Sequence, residues 1–185
     1  MDLDDNLTGI VKELTQNGSI VVPLVNGEID GCYKYIDDDG VILQEINYKN
    51  GILSGDMRQY YKSGVLMLLI KYDNGQTVHE VITYYENGML QSRTPYSEGK
   101  VDGIYKAYDE FGDNMIEIEY KQGKRNGRTV TYYPKLHGGG VYEVSEYKND
   151  LLHGMKHTYD KAGNVASITP YKNGRAQRYA ENITI

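Results

Sequence analysis

The stretch YKNGILSGDMRQYYKSGVLMLLIK, residues 48–71, is one full copy of a pattern that recurs along the chain. Counted from its first tyrosine, a tyrosine returns every 24 residues, with a single interval of 27. Glycine follows three residues behind five of these six tyrosines, and Asp150 takes its place once. Self-similarity at a fixed period of this length predicts a repeat protein. The marker tyrosines are Tyr48, Tyr72, Tyr96, Tyr120, Tyr147 and Tyr171.

Each repeat is predicted to fold as a β-hairpin. Its two short segments are rich in Tyr, Val, Ile and Thr and are bounded by turn dipeptides such as Asn50-Gly51. In DNMIEIEY, residues 113–120, apolar and acidic residues alternate, which is typical of a sheet with one covered and one wet face. The predicted fold is all-β, an elongated, twisted or curled antiparallel meander of tandem hairpins. The predicted strand pairs are Gly31–Ile36 with Val41–Tyr48, Gly55–Tyr61 with Val65–Tyr72, His79–Tyr85 with Met89–Tyr96, Gly103–Tyr108 with Asp113–Tyr120, Gly127–Tyr133 with Val141–Tyr147, and Gly154–Tyr159 with Asn164–Tyr171, before a last strand near Arg178–Ile185.

The repeats divide the chain into three parts. Residues 1–26 are expected to form an irregular N-terminal capping unit, residues 27–174 six hairpin repeats, and residues 175–185 a C-terminal capping strand. Pro23, Pro95 and Pro170 each stand directly before the marker position. Because proline donates no hydrogen bond, we expect a bulge or an unpaired N–H at this place once per repeat.

Composition indicates a folded protein, with 39% hydrophobic and 25% charged residues over 185 positions. The single cysteine, Cys32, excludes an internal disulfide. The acidic start MDLDDNLTGIVKEL lacks the pattern of a signal peptide, and no apolar run of 18 residues occurs. We therefore expect a cytoplasmic location.

The repeat skeleton Y-x-x-G-x-x-x-G-x-x-x-x-Y-x-x-x-G is filled by YKNGILSGDMRQYYKSG and YSEGKVDGIYKAYDEFG, and less perfectly by YKNDLLHGMKHTYDKAG. It resembles the MORN repeat in its bacterial variant form, and the resemblance covers about Gly27–Gly174. The chain is similar in this to YwqK-type proteins, which are described as antitoxins or immunity proteins. The resemblance implies a binding protein whose partner is a cognate toxin.

No catalytic or metal centre is predicted. The histidines His79, His137, His153 and His157 fall at different phases of the repeat. On a strand, His153 and His157 would share a face about 13 Å apart, which does not suit one metal ion. Cys32 has no recurring partner that could activate it. We expect neither enzymatic activity nor a cofactor.

Negative charge is concentrated near the start of the chain, because residues 1–56 carry a net charge of −8 and the remainder carries +2. One explanation is solubility and protection of an exposed sheet edge. The other is an acidic docking surface for a basic protein. The spacing of Asp37-Asp38-Asp39-Gly40 does not suit a calcium loop and favours a hairpin turn. The candidate partner-binding residues are Asp30, Tyr33, Tyr35, Asp37, Asp38 and Asp39.

A second candidate surface is the basic stretch KQGKRNGR, with Lys121, Lys124, Arg125 and Arg128. It could hold anions or lipid headgroups, whereas the overall pI of 5.2 argues against nucleic acid as a partner. Two functions follow from these surfaces. The first is an immunity protein or antitoxin that blocks a toxin such as a nuclease or deaminase. The alternative is a MORN-type scaffold or a membrane-associated interaction protein.

Overall fold

A computed structural model describes residues 7–178 of the chain. The predicted last strand, Arg178–Ile185, therefore lies almost wholly outside the described residues. Within them the only helical element is the 3-10 turn Lys135–His137, and no helix has the length and apolar character needed to cross a bilayer. The strands are β1 Gly9–Thr15, β2 Gly18–Val25, β3 Glu28–Ile29, β4 Gly31–Asp37, β5 Ile42–Lys49, β6 Ile52–Tyr60, β7 Leu66–Asp73, β8 Gln76–Tyr84, β9 Leu90–Ser97, β10 Lys100–Val101, β11 Gly103–Tyr108, β12 Asn114–Lys121, β13 Lys124–Tyr132, β14 Val141–Lys148, β15 Leu151–Leu152, β16 Gly154–Tyr159, β17 Val165–Lys172 and β18 Arg175–Ala176.

The chain forms two compact units, the first ending at Gly99 and the second beginning at Lys100. In the first, antiparallel pairing proceeds in chain order from β1 to β9. In the second, it proceeds in the same way from β11 to β18. The prediction of an all-β antiparallel meander of hairpins is confirmed.

One arm of each hairpin is longer than predicted. Strand β6 begins at Ile52, directly after the turn, and not at Gly55. In other repeats the same segment is a separate two-residue strand, as in β3 and β15. The backbone therefore pairs on both sides of the second glycine of the repeat, which is Gly55 in β6. The prediction that the strand starts at this glycine was wrong.

A two-residue turn joins neighbouring repeats. Both of its residues are left-handed, as at Asn50 (φ 49°) and Gly51 (φ 73°), which is the geometry of a type I′ turn. The second residue also donates its N–H to a carbonyl of the preceding repeat, and for Gly51 and Ile29 the N–O distance is 2.8 Å. The same bond recurs from Gly75 to Leu53, from Gly123 to Val101 and from Gly174 to Leu152. These turns thus link one hairpin to the next.

At two positions where the other repeats have glycine, a different residue keeps the positive φ. His79 has φ 67° and Asp150 has φ 68°. Arg125 compensates for this at Asp150, because its N–H donates to Asp150 Oδ1 at 2.9 Å. The Arg125 guanidinium carbon also lies 4.2 Å from the centre of the Tyr147 ring. His79 and Asp150 therefore replace glycine without changing the backbone conformation of the repeat.

A bulge occurs at the residue before the marker tyrosine, as the prolines predicted. The strand register shifts between Ile46 and Tyr48, and it shifts at the same place in β7 and in β12. Where proline stands at this place, its carbonyl still accepts a backbone bond, as Pro170 does from Gln177 at 2.8 Å. The missing N–H of proline therefore falls where the ladder is already interrupted.

The sheet has a thin core. Among the described residues the buried apolar side chains are Val22, Leu24 and Val130, and most others are half-buried. The alternation in residues 113–120 led us to expect one covered face, but Glu117 is half-buried like Ile116. Glu117 is held by Lys106 on the neighbouring strand, with 3.3 Å between Nζ and Oε1. Cross-strand ion pairs therefore cover the face that was predicted to be wet.

Candidate functional site

Four of the six predicted acidic-surface residues line one shallow groove at the edge of the first unit. We call it the acidic groove; its lining residues are Asn17, Tyr35, Asp37, Asp38, Asp39, Leu43 and Lys62. Three turns meet here, because Asn17 follows β1, Asp38 and Asp39 follow β4, and Lys62 follows β6. The Tyr35 hydroxyl donates to the Asn17 carbonyl at 2.9 Å and thereby fixes the first turn against the second.

Asp37 is the buried residue of the groove and holds the turn that carries Asp38 and Asp39. Its side chain is 8% exposed. Its Oδ1 accepts the backbone N–H groups of Asp39 at 3.0 Å and Val41 at 2.8 Å, a turn that the sequence predicted. Its Oδ2 is buried and has no hydrogen-bond partner within residues 7–178. A buried carboxylate oxygen without a partner is unfavourable, so this atom is an unused acceptor beside the exposed Asp38 and Asp39.

The other two predicted residues have different places. Tyr33 is half-buried on the same side of β4 as Tyr35, since side chains two apart on a strand share a face. Burial raises the pKa of the Tyr33 hydroxyl, and the neighbouring tyrosines raise it further. Asp30 precedes the other end of β4, where its Oδ2 accepts the N–H of Asn50 at 3.2 Å. Asp30 therefore supports a two-residue turn and does not line the acidic groove.

A polar cluster on β4, β5 and β6 was missed by the sequence reasoning. Glu45 pairs with Lys34 at 2.9 Å between Nζ and Oε1 and accepts the Tyr60 hydroxyl at 2.8 Å. The bond from Lys34 lowers the pKa of the Glu45 carboxyl, and burial raises the pKa of Tyr60. Three repeats later, Lys106, Glu117 and Tyr132 occupy the same phases. Comparing residues phase by phase could have revealed this cluster.

The Cys32 thiol lies close to this cluster and is not activated by it. Burial raises the pKa of Cys32, and the charge of Glu45 raises it further. Nucleophilic cysteines need the opposite effect, a lowered pKa. The residues around Cys32 thus supply no device for nucleophilic chemistry.

The basic surface of the second unit is only partly available. Lys121 and Lys124 face each other across a two-residue turn, and both are exposed. Arg125 is engaged with Asp150 and Tyr147. Arg128 is exposed and lies apart, in a second groove that His153 and His157 also line. The four predicted cations therefore do not form one patch.

His153 and His157 line that second groove, but they form no metal site with the other described residues. No group of three or more potential metal ligands occurs within residues 7–178. The Nδ1 atom of His153 lies 3.3 Å from Asn173 Oδ1, and the ring of His157 stacks on Tyr159. Both rings are thus occupied by neighbouring side chains.

Comparison with protein families gives a match to the repeats themselves. Residues 29–50, 53–74 and 80–98 match the model described as MORN repeat variant. These segments correspond to the hairpins β3–β5, β6–β7 and β8–β9. A comparison of the whole chain with curated proteins gave no match. Three consecutive hairpins of this chain therefore match the MORN repeat variant, and such repeats indicate a repeat-based binding module.

Proposed function

We propose that the chain is a non-catalytic protein-binding module that acts as an immunity protein or antitoxin, binding and neutralising a cognate toxin with a basic surface. The observation that carries the proposal is the acidic groove. It presents the exposed carboxylates of Asp38 and Asp39 beside the ring of Tyr35. Carboxylates next to an anchored aromatic ring suit a site for lysine or arginine side chains of a protein.

The charge of the first part of the sequence supports a basic partner. Residues 1–56 carry a net charge of −8, which attracts a cationic surface and speeds its approach. Tyr35 is already fixed by its bond to Asn17, so little side-chain freedom would be lost on binding. The buried Oδ2 of Asp37 adds an acceptor that a long cationic side chain could use after a small shift of the turn.

Neutralisation on this proposal is steric and electrostatic, with no covalent step. A toxin that acts on nucleic acid, such as a nuclease or a deaminase, must attract the phosphate backbone with lysine and arginine. Asp38 and Asp39 would pair with those same side chains. The toxin's nucleic-acid surface would thus be covered by the bound hairpins.

The alternative, a scaffold or membrane-associated protein, rests on the basic surface of the second unit. Exposed Lys121 and Lys124 would approach anionic headgroups, each contributing about 1 kcal/mol near a charged membrane. The Arg125 side chain already pairs with Asp150, with 3.6 Å between Nε and Oδ1, which removes one of the four cations. The acidic groove is the more complete site, and we favour the toxin-binding function for that reason.

The product of the neighbouring gene provides the test. We expect it to arrest growth when expressed alone, to co-purify with this chain, and to leave growth normal when the two are expressed together. Vesicles of phosphatidylserine and phosphatidylcholine should not retain the chain in the same buffer. Failure of both co-purification and protection would contradict the proposal, and vesicle binding in their place would favour the alternative.

A further inference from the structure

The turn between β13 and β14 departs from the other repeats and exposes a large apolar side chain. Leu136 is 93% exposed, the highest value among the large apolar residues that the structure describes. Phe111, in the corresponding turn one repeat earlier, is 75% exposed. The two side chains line a common groove. We call it the Phe111–Leu136 groove; its other lining residues are Asp109, Asp113, Pro134 and Lys135.

The longer turn is internally ordered by its backbone. The N–H of His137 donates to the Pro134 carbonyl at 2.8 Å, and that of Gly138 donates to Lys135 at 2.9 Å. The loop is closed by a bond from Tyr133 N–H to the Gly140 carbonyl at 2.9 Å. These backbone bonds fix the conformation of the loop. The exposure of Leu136 is therefore a property of the folded loop.

Two aspartates and one lysine border the apolar pair. Asp109 Oδ1 accepts the N–H groups of Phe111 at 3.0 Å and Asp113 at 2.9 Å. Asp113 Oδ1 pairs with Lys135 at 3.2 Å, whereas its Oδ2 is buried without a partner within residues 7–178. The groove thus combines two exposed apolar side chains with a carboxylate rim that retains an unused acceptor.

We propose that the Phe111–Leu136 groove docks a segment of a partner protein that presents an apolar side chain next to a lysine or arginine. The apolar side chain would cover Phe111 and Leu136, and the cation would approach Asp109 and Asp113. Charge complementarity selects such a segment over a second copy of this chain. Each rim carries two aspartates against one lysine, so a symmetric contact would bring two rims of net negative charge together, which is unfavourable.

This surface is independent of the acidic groove. It lies on hairpins of the second unit, and it requires apolar contact as well as charge. A toxin-binding function that failed at Asp38 and Asp39 would leave the Phe111–Leu136 groove unaffected. The reverse also holds, so the two proposals can be tested separately.

The test is selection of random 12-residue peptides, displayed on phage, against the full chain. We expect enriched peptides to carry an aliphatic or aromatic residue beside lysine or arginine. Their affinity should fall at least about tenfold for Leu136→Ser and further for Leu136→Ser with Phe111→Ser. The matched control is Ile10→Ser with Leu14→Ser, two residues of β1 that are 76% and 81% exposed.

Folding is checked by melting temperature, which the single Leu136→Ser change should leave unaltered because the side chain is almost fully exposed. Three results would overturn the proposal: no enriched peptide, enriched peptides that bind both double variants equally, or enriched peptides without the basic residue. Concentration-dependent dimerisation that disappears in Leu136→Ser would also overturn it, because the occupant would then be a second copy.

Discussion

Replacing Gly18 with alanine is expected to destabilise the first unit by about 3 to 4 kcal/mol, against about 1 to 2 kcal/mol for the same change at Gly9. Both glycines have nearly the same backbone conformation, with φ 143° at Gly18 and φ 142° at Gly9. Strain from a positive φ is therefore similar at the two positions.

The difference comes from what an added Cβ would meet. At Gly18 it would overlap the Ile36 carbonyl oxygen and stand 2.9 Å from Asp37 Cα, both backbone atoms of β4. At Gly9 it would meet nothing within 4 Å. Because Gly18 pairs with Asp37 at the acidic groove, relief of the overlap would have to displace β4.

Urea unfolding, followed by far-UV circular dichroism, measures both variants against the parent chain. The difference between the two losses of stability isolates the close approach of β2 to β4, because the strain from a positive φ is common to both variants. Equal losses of stability in the two variants would show that the strands are not this close.

Reversing the charge of the acidic groove, with Asp38→Lys and Asp39→Lys together, is expected to weaken binding of the cognate toxin about a hundredfold. Close charge pairs at interfaces can each be worth more than 1 kcal/mol, and repulsion replaces attraction in this variant. Stability should change little, because Asp37 and not its neighbours supplies the carboxylate that closes the turn. The association rate should fall with the affinity, since steering is lost.

The control is Asp73→Lys with Glu28→Lys, which makes the same change in net charge at exposed positions that lie at the opposite ends of their strands from the groove. We expect this variant to bind within about threefold of the parent at 0.15 M salt, where distant surface charges are screened. Surface plasmon resonance gives both rates. If both variants weakened binding equally, net charge alone would explain the loss, and the acidic groove would not be the binding site.

The spacing of glycine, tyrosine and proline was sufficient to predict the hairpins and their bulges. These residues act through their own backbone: Gly51 permits a left-handed turn, and Pro170 marks a position where the ladder is interrupted. Such local requirements are visible in a single repeat. The strands of the structure accordingly end close to their predicted positions, although one arm of each hairpin begins earlier, as β6 does at Ile52.

The candidate site was less predictable, because its contacts join different repeats. Each bulge adds one residue and reverses the side-chain alternation, so a period of two does not identify a face along the whole repeat. Asp30 was grouped with Asp37 because both belong to the acidic first third of the sequence, although they lie at opposite ends of β4. The engagement of Arg125 by Asp150 likewise depends on the pairing of separate hairpins.

The claim that tandem hairpins are linked by their two-residue turns is tested most directly by amide hydrogen exchange. Exposed turn amides normally exchange fast, but Gly51, Gly75 and Gly123 donate to carbonyls of the preceding repeat. We predict exchange at least about a hundredfold slower at these glycines than at Lys62 and Lys161, whose amides have no acceptor within residues 7–178. Equally fast exchange at all five positions would contradict the linkage of the repeats, and with it the binding surfaces that depend on it.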